Sequence, residues 1–393
     1  MKDEKKYLYE KVYDSLKQDI VAGNIKYNEL LPSEKEIGDK LEVDRTTVRK
    51  ALGMLVDEGL VEKRAGVGTR VIMRQYRPEQ RNNYRNIGFL LPRSKNKRNR
   101  ITQPFYASLF YRVEDECRKK GLSLTYTTLD EEDDFFRVVE AHGLSGVIFV
   151  TNVNEKFLKQ AVNARIPSIV VNGYYENMAS ILCNNKEGAY KAISHLAALG
   201  HKRIALIKGM EGYVTCDERL EGCYRAAREF GLAFNPEDVY EGNWEFSSGY
   251  EGVRKIFSNP KDYPTALFAF NDMMALGAIL ALVEMGKSVP DDVSIVGFDN
   301  DMMALGAVLA LDETEKSVLN DVNMAGLDKK HLGALHYLTP QLTTIDVSIK
   351  TMATVAVENI LYRLDNDNAY AVKIETPVEL VTRATTRQLN IVK

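Results

Sequence analysis

Residues 31–71 read LPSEKEIGDKLEVDRTTVRKALGMLVDEGLVEKRAGVGTRV, and their punctuation divides them into four pieces. Pro32 fits a helix start, and Ser33 offers a side-chain oxygen to free backbone N–H groups. Glu36 stands three residues after Ser33, which is capping-box spacing. Ile37 and Leu41 are four apart and share one face. Glu42-Val43 makes a short turn. Asp44 is a good N-cap for a second helix, with Thr47 three residues on. Val48, Leu52, Leu55 and Val56 are expected to form its apolar stripe, with Arg45, Thr46, Arg49 and Lys50 mostly on the other side. Gly59 ends that helix. Leu60–Lys63 and Thr69–Ile72 then read as paired strands around Arg64-Ala65-Gly66-Val67-Gly68, whose glycines allow a tight turn.

Helix, turn, helix and hairpin in this order make a winged helix-turn-helix. Short hydroxyls and forked cations at the start of its second helix are what meets base edges and phosphates in a major groove. Each piece alone is common, and GVG alone is weak. A phosphate loop would need a strand before it and a helix after it, whereas these glycines sit between two strand-like runs. With a leading helix at about Tyr7 to Ala22, the stretch resembles the DNA-binding domain of the GntR family over roughly the first 74 residues, through LPSE, VDRTTVRKAL and the G-x-GT wing. That resemblance implies that Lys35, Arg45, Thr46, Thr47, Arg49 and Gly66 touch DNA. One position departs from it. The family usually has Ser or Thr where this chain has Asp44, and a carboxylate there caps the helix but repels phosphate.

At 393 residues the chain has room for two or three domains. Its 45% hydrophobic and 27% charged residues are ordinary for a soluble globular protein, which excludes a low-complexity chain. The net charge of −3 excludes a uniformly basic nucleic-acid coat. Residues 44–85, however, carry ten Lys and Arg against five Asp and Glu, so a basic segment sits on an acidic body. A solvated charged face would explain that segment if the helix-turn-helix were absent. Cys117, Cys183, Cys216 and Cys223 show no C-x-x-C spacing, which favours a reduced, cytoplasmic chain over a disulfide framework or zinc site. The N-terminus MKDEKKYLYEK lacks the apolar core of a secretion signal, and no apolar run reaches membrane-spanning length. No cofactor or metal is expected.

Residues 1–73 thus form the DNA-binding domain, and the polar stretch 74–85, RQYRPEQRNNYR, reads as a linker. Beyond it, strand-like and helix-like segments alternate. NIGFLL (86–91) leads to a helix at about 104–120, LSLTYTT to one near 131–142, and GVIFV (146–150) to one near 154–164, followed by SIVV (168–171). A similar set follows: a helix at 186–199, RIALIKG, a helix at 217–230, ALFAF and another helix. This alternation predicts an α/β body of two lobes, each a doubly wound parallel sheet, with a ligand cleft between them at the carboxyl ends of the strands.

Three separated motifs, NNKEGAYKAISHLAALGHKRIALIKG (184–209), SIVGFDN (294–300) and YLTPQLTTIDVS (337–348), resemble the sensor domain of the LacI/GalR family, which is similar in fold to periplasmic sugar-binding proteins. The resemblance covers about 86–393. A GntR-type head on such a sensor resembles the arabinose-responsive repressors of Gram-positive bacteria. It implies ligand roles for Arg219 in DERLEG, Asn271 in FNDMMALG, Asp299 in GFDN and Trp244 in GNWEFSSGY, with Phe105 and Tyr106 as weaker candidates. A sugar needs bidentate polar groups for its hydroxyls and an aromatic plate for its C–H face, and these residues supply both. Singly, Arg219 can also be read as a surface ion pair and Trp244 as core, a reading that fits Arg219 and Asp299 poorly as a pair. The basic run RSKNKRNR (93–100) is either solvated or faces an anionic effector, such as a phosphorylated sugar.

Residues 271–299 recur at 300–328 without a gap: NDMMALGAILAL becomes NDMMALGAVLAL, and KSVPDDVSIVGFD becomes KSVLNDVNMAGLD. Two units are too few for a solenoid, which needs about three or more. The LacI/GalR pattern has one copy, so only one can fill the native slot. The first keeps Pro290 and the stronger strand, SIVGF. The second has Leu319 in place of the proline and a polar break at Asp312–Glu315. Copy one in the slot, with copy two extruded as a largely helical insertion, is the favoured expectation. The rival puts copy two in the slot and gives the ligand Asn300 and Asp328. A third reading is that the insertion ruins the cleft.

The leading expectation is a homodimeric, sugar-released repressor of carbohydrate-use genes on a palindromic operator, with no membrane partner. A sugar-acting enzyme is the alternative that a doubly wound fold permits. Against it, the sequence has no nucleophile elbow, no phosphate loop after a strand and no metal-spaced His or Cys cluster, and its five histidines (142, 195, 201, 331 and 336) are scattered. His195 and His201 flank a turn, where a structural role is expected. A sugar-binding transport protein is disfavoured by the DNA-binding head.

Overall fold

The computed structural model describes residues 7–22, 24–64, 66–72, 86–93, 100–259, 262–300, 342–366 and 370–389. The expected linker at 74–85, most of the basic run 93–100, Asp328, His331, His336 and nearly all of the second repeat copy lie outside the described residues.

The head has three helices: α1 (Leu8–Ala22), α2 (Glu34–Leu41) and α3 (Arg45–Asp57). The expected capping box forms at α2. Ser33 Oγ accepts from the Glu36 N–H at 3.2 Å, and the Glu36 carboxylate accepts from the Ser33 N–H at 2.7 Å. Asp44 caps α3 through the Thr47 N–H at 2.8 Å. Val48, Ala51, Leu52 and Leu55 are buried against Val12, Leu16, Ile20 and Ile37. Val56 does not join them and is 38% exposed. It lies about a quarter turn off the stripe, and Ala51 fills the place expected for it. Strands β1 (Val61–Arg64) and β2 (Gly68–Val71) pair antiparallel, from Val61↔Val71 to Arg64↔Gly68. Gly66 turns the tip with a φ of +75°, which a side chain would disfavour.

The first lobe is built on β3 (Asn86–Pro92), β4 (Ser123–Leu129), β5 (Gly146–Val150), β6 (Ser168–Val171) and β7 (Ala179–Cys183). Its order is β13-β7-β6-β5-β3-β4, parallel throughout, with β13 (Lys373–Thr376) arriving from near the C-terminus. Helices α5 (Phe135–Ala141) and α6 (Glu155–Asn163) cover one face. Helix α4 (Pro104–Lys119) packs against α11 (Ile349–Asp365), which lies on β5, β6 and β7. Strand β5 is buried at every residue, as a sheet covered on both faces requires. Helix α5 starts at Phe135 rather than near 131, because Asp134 caps it through the Phe136 and Arg137 N–H groups.

The second lobe holds β8 (Ile204–Lys208), β9 (Val239–Glu241), β10 (Ala266–Ala269), β11 (Ser294–Asp299), β12 (Thr343–Asp346) and β14 (Glu379–Val381). The order is β14-β12-β11-β10-β8-β9, with only β14 antiparallel. Its helices are α7 (Asn185–Ala198), α8 (Val214–Phe230), α9 (Phe246–Ile256) and α10 (Asp272–Glu284). Short crossings from Cys183 to Asn185, Asp346 to Ile349 and Thr376 to Glu379 join the lobes. The first repeat copy supplies α10 and β11. β11 lies between β10 and β12, with Ala266↔Ser294 and Val296↔Thr343 in register, so copy one fills the slot.

Candidate functional site

On the head, the first turn of α3 and the wing present one exposed face. Arg45, Thr46, Arg49 and Lys50 are exposed there, as are Lys35 on α2 and Gly66 at the wing tip. Thr47 is half-buried, and its hydroxyl donates to Asp44 Oδ2 at 3.1 Å, so part of its polarity serves the cap. Glu34 is a residue the sequence reading passed over. Its carboxylate accepts from Arg49 Nε at 2.8 Å and Lys63 Nζ at 3.0 Å, linking α3 to the wing. Those two bonds hold its pKa below the usual glutamate value. The arrangement can offer cations and hydroxyls to a groove and a phosphate backbone.

Between the lobes, Arg219 and Asp299 meet. Arg219 projects from the first turns of α8 and is 3% exposed; Asp299 closes β11 and is 7% exposed. Arg219 Nη2 donates to Asp299 Oδ1 at 3.1 Å, Nε donates to Asn185 Oδ1 at 2.9 Å, and Nη1 donates to the Phe270 carbonyl. Its guanidinium carbon stands 3.6 Å from the Phe298 ring centroid and 5.7 Å from that of Trp244. Burial pushes the Asp299 carboxyl up to about 6, with Arg219 pulling the other way. The pair is therefore internal, which removes the surface ion-pair reading of Arg219.

Asn271 caps α10 through the Met274 N–H at 2.8 Å, and its Nδ2 donates to the Trp244 carbonyl at 2.9 Å. Trp244 is half-buried, with its six-membered ring against Gly209, where a Cβ would stand 2.0 Å from the indole. Only glycine at 209 leaves room for that indole. Tyr213 lies 6.0 Å from Trp244, ring to ring. From the first lobe, Tyr106 is buried and donates to Thr151 Oγ1 at 3.2 Å, and Phe105 packs edge-on against it. Arg100 donates to the Tyr213 hydroxyl at 3.3 Å, and Gln103 to Glu245 at 2.8 Å, both across the lobes. Asn300, the alternative ligand residue, accepts instead from Arg383 Nη2 at 2.9 Å.

The structure thus gathers Arg219, Asp299, Asn271, Trp244 and Tyr106 at the carboxyl ends of the strands. The sequence reading missed Asn185, Tyr213 and Glu218 as individuals. Glu218 is buried between Asn185 Nδ2 at 3.0 Å and Lys373 Nζ at 2.6 Å, tying the site to β13 of the first lobe. NNKEG and DERLEG, which hold Asn185 and Glu218, were visible as motifs. The neighbours that give these side chains a task come from distant sequence.

Little else here is reactive. The cysteines are free and buried, with Cys117 and Cys183 pushed to about 12 by burial. His195 and His201 bond Thr386 and Thr265, and burial lowers both imidazoles. Among the described residues, no cluster of three His, Cys, Asp or Glu could hold a metal ion, and no helix is long and apolar enough to cross a membrane.

A winged head joined to a two-lobed body with a polar interlobe site defines a ligand-sensing DNA-binding regulator. Residues 8–71 match bacterial regulatory proteins of the gntR family, and residues 193–303 and 299–386 match the periplasmic binding protein-like domain in two stretches that meet where the repeat begins. The HTH-type transcriptional repressor PurR of Aliivibrio salmonicida (strain LFI1238) is 32% identical over 316 residues, 78% of this chain and 83% of the relative. PurR of Actinobacillus pleuropneumoniae serotype 3 (strain JL03) is 30% identical over 318 residues, 79% and 83% of the two chains. The transcriptional regulator CelR in complex with cellobiose is similar in structure, with a TM-score of 0.63 at 17% identity over 90% of this chain and 100% of that one. A LacI family regulator from Enterococcus faecium with bound ribose has a TM-score of 0.60 at 23% identity over 78% and 100%. The chain belongs to the family of HTH-type transcriptional repressors with a LacI-type sensor, and carries a gntR-type head in front of it. It is a regulator of operator DNA under a small-molecule effector, not an enzyme.

Proposed function

We propose that the effector is a small sugar with an arabinose-like set of hydroxyls, and that its binding releases the repressor from carbohydrate-use operators. The observation that carries this reading is the buried Arg219–Asp299 pair beside Asn271 and the Trp244 indole. A guanidinium and a carboxylate held side by side offer donors and acceptors to adjacent hydroxyls, and an indole face takes the C–H side of a sugar ring. On DNA, α3 lies in the major groove with Arg45, Thr46, Thr47 and Arg49 toward bases and phosphates, and Lys35 and Gly66 meet the backbone. Paired heads of a symmetric dimer read a palindromic operator. Tyr111 on α4 and Tyr362 on α11, 58% and 56% exposed, give such a dimer apolar surface on two helices that pack together.

The test is a thermal-shift screen of the full chain against pentoses, hexoses and their phosphates, since a ligand of the folded form raises its apparent stability. Positive sugars go on to an operator-shift assay. Supporting results are a sugar that stabilises the protein, weakens its operator complex and loses affinity in Asp299→Ala but not in Asp328→Ala. If the second substitution and not the first abolishes binding, the ligand carboxylate belongs to the second repeat copy. If no sugar binds, the reading fails.

A further inference from the structure

Arg100 stands in a 3-10 turn, Arg100–Thr102, directly before α4, and the basic run that ends on it gives no hint of where its side chain goes. It is half-buried and turned toward the cleft. Its Nη2 reaches Tyr213 of the other lobe. Its charge acts on two phenols, Tyr106 and Tyr213, and Tyr106 in turn lies within the field of Asp299. No ion pair within 4.0 Å joins Arg100 to a described carboxylate. The other guanidinium, Arg219, is already matched by Asp299. Glu245 of the second lobe accepts from Gln103, three residues after Arg100. Trp244 adds a buried indole N–H with no acceptor among the described residues.

Among the described residues the cleft thus offers a half-buried guanidinium with no carboxylate paired to it and an indole N–H with no acceptor. An anion brought to this part of the cleft would meet these donors directly, and a guanidinium bonds oxyanions more strongly than neutral groups. We propose that the effector carries a negatively charged group, phosphate or carboxylate, at the end of the sugar that faces the first lobe, and that Arg100 binds it. This deepens the sugar reading and rests on it. Arg219 and Asp299 hold the hydroxyls; Arg100, a planar fork suited to two oxygens of one anion, sets the preference for a charged ligand over its neutral parent.

Isothermal titration of the full chain with matched probes decides the matter: D-arabinose against D-arabinose 5-phosphate, D-ribose against D-ribose 5-phosphate, and D-glucose against both D-glucose 6-phosphate and D-glucuronate. The phosphate and glucuronate arms separate the two kinds of anion. The charged member should bind roughly 10- to 100-fold tighter, the worth of a hydrogen bond to a charged group. Raising ionic strength should narrow that ratio. Arg100→Gln should bring it near one, and Arg100→Lys should restore part of it. The ligand-free melting curve of each variant checks its fold; should Arg100→Gln not fold, the wild-type ratio and its salt dependence decide alone. Neutral sugars that bind as well as or better than their charged partners overturn this inference and leave the sugar reading standing. Inorganic phosphate binding as tightly as a sugar phosphate also overturns it. If no probe binds, both readings fall.

Discussion

The two ends of this molecule use similar side chains in opposite surroundings. Arg45 and Arg49 stand in water on the head, while Arg219 is sealed within the cleft. Arg49 meets Glu34 with its side chain 64% exposed, a contact that solvent screens; Arg219 meets Asp299 with almost none of either carboxylate or guanidinium in water. The head therefore draws its affinity from many modest, salt-sensitive contacts, and the sensor from a few that cannot be removed singly without harm.

The largest test of this contrast is Arg219→Ala. Asp299, the Asn185 side-chain Oδ1 and the Phe270 backbone carbonyl would each lose a donor. Chemical denaturation should show a loss of about 3–5 kcal/mol, the usual result of breaking a buried pair from one side. Calorimetry should show effector affinity down at least about 100-fold, a difference of some 2.7 kcal/mol. A fall under about 1 kcal/mol would put the pair in the same regime as surface contacts and erase the distinction.

Next in size is Arg45→Ala, with an expected loss of about 1–3 kcal/mol in operator binding by anisotropy titration and no change in the unfolding of the sensor. The salt slope separates its roles. A drop of about one unit marks a phosphate contact, whereas relaxed sequence preference at unchanged slope marks a base contact.

The pH dependence of effector binding sharpens the comparison from the sensor side. Burial raises Asp299 from its ordinary 3.8 to about 6. The folded chain thus holds that proton more tightly than the unfolded one. The resulting stability is complete below the unfolded value and is lost as pH rises through 6. Sugar hydroxyls donate to the ionised form, so affinity should run the other way and fall by about tenfold per unit below pH 6. Titrations from pH 5 to pH 8 should show the bend, and Asp299→Asn should flatten it; a wild-type profile without a bend would argue that Asp299 does not meet the ligand.

The smallest expected effect is Asp44→Ser. Serine keeps the cap at α3, so the melting of the head should shift by only a few tenths of a kcal/mol. Removing one carboxylate near phosphate should raise operator affinity several-fold at low salt and less at high salt. A weaker complex would instead assign Asp44 a direct part in binding.

What could be read from the chain follows the range of the forces involved. Ser33–Glu36 and Asp44–Thr47 were legible residue by residue, because a cap is settled within three positions. GVIFV and SIVV were legible to the residue, since a strand buried on both faces is largely apolar. ASILC, which became β7, and KIET, which became β13, were not. KIET alternates polar and apolar residues and pairs with a strand nearly two hundred positions earlier. The same divide runs through the cleft. Arg219 and Asp299 were found through motifs, whereas Asn185, Glu218 and Arg100 acquire their tasks from partners that sequence spacing does not reveal.

The end of β11 holds a last consequence. Asp299 adopts a φ of +106°, a conformation that costs a side chain on the order of 1–3 kcal/mol. Exchanging a buried ion pair for uncharged groups of similar bulk is often neutral or favourable. A sequence asked only to fold has no need of a charged pair, or of a side chain in this conformation, at the end of β11. The double variant Arg219→Met, Asp299→Gly should accordingly lose less stability by calorimetry than Arg219→Met alone, which leaves the buried carboxylate unmatched. Robustness and hearing are opposed at this spot: a form of this protein without the pair would be a deaf one, bearing a sensor lobe with nothing left to sense by.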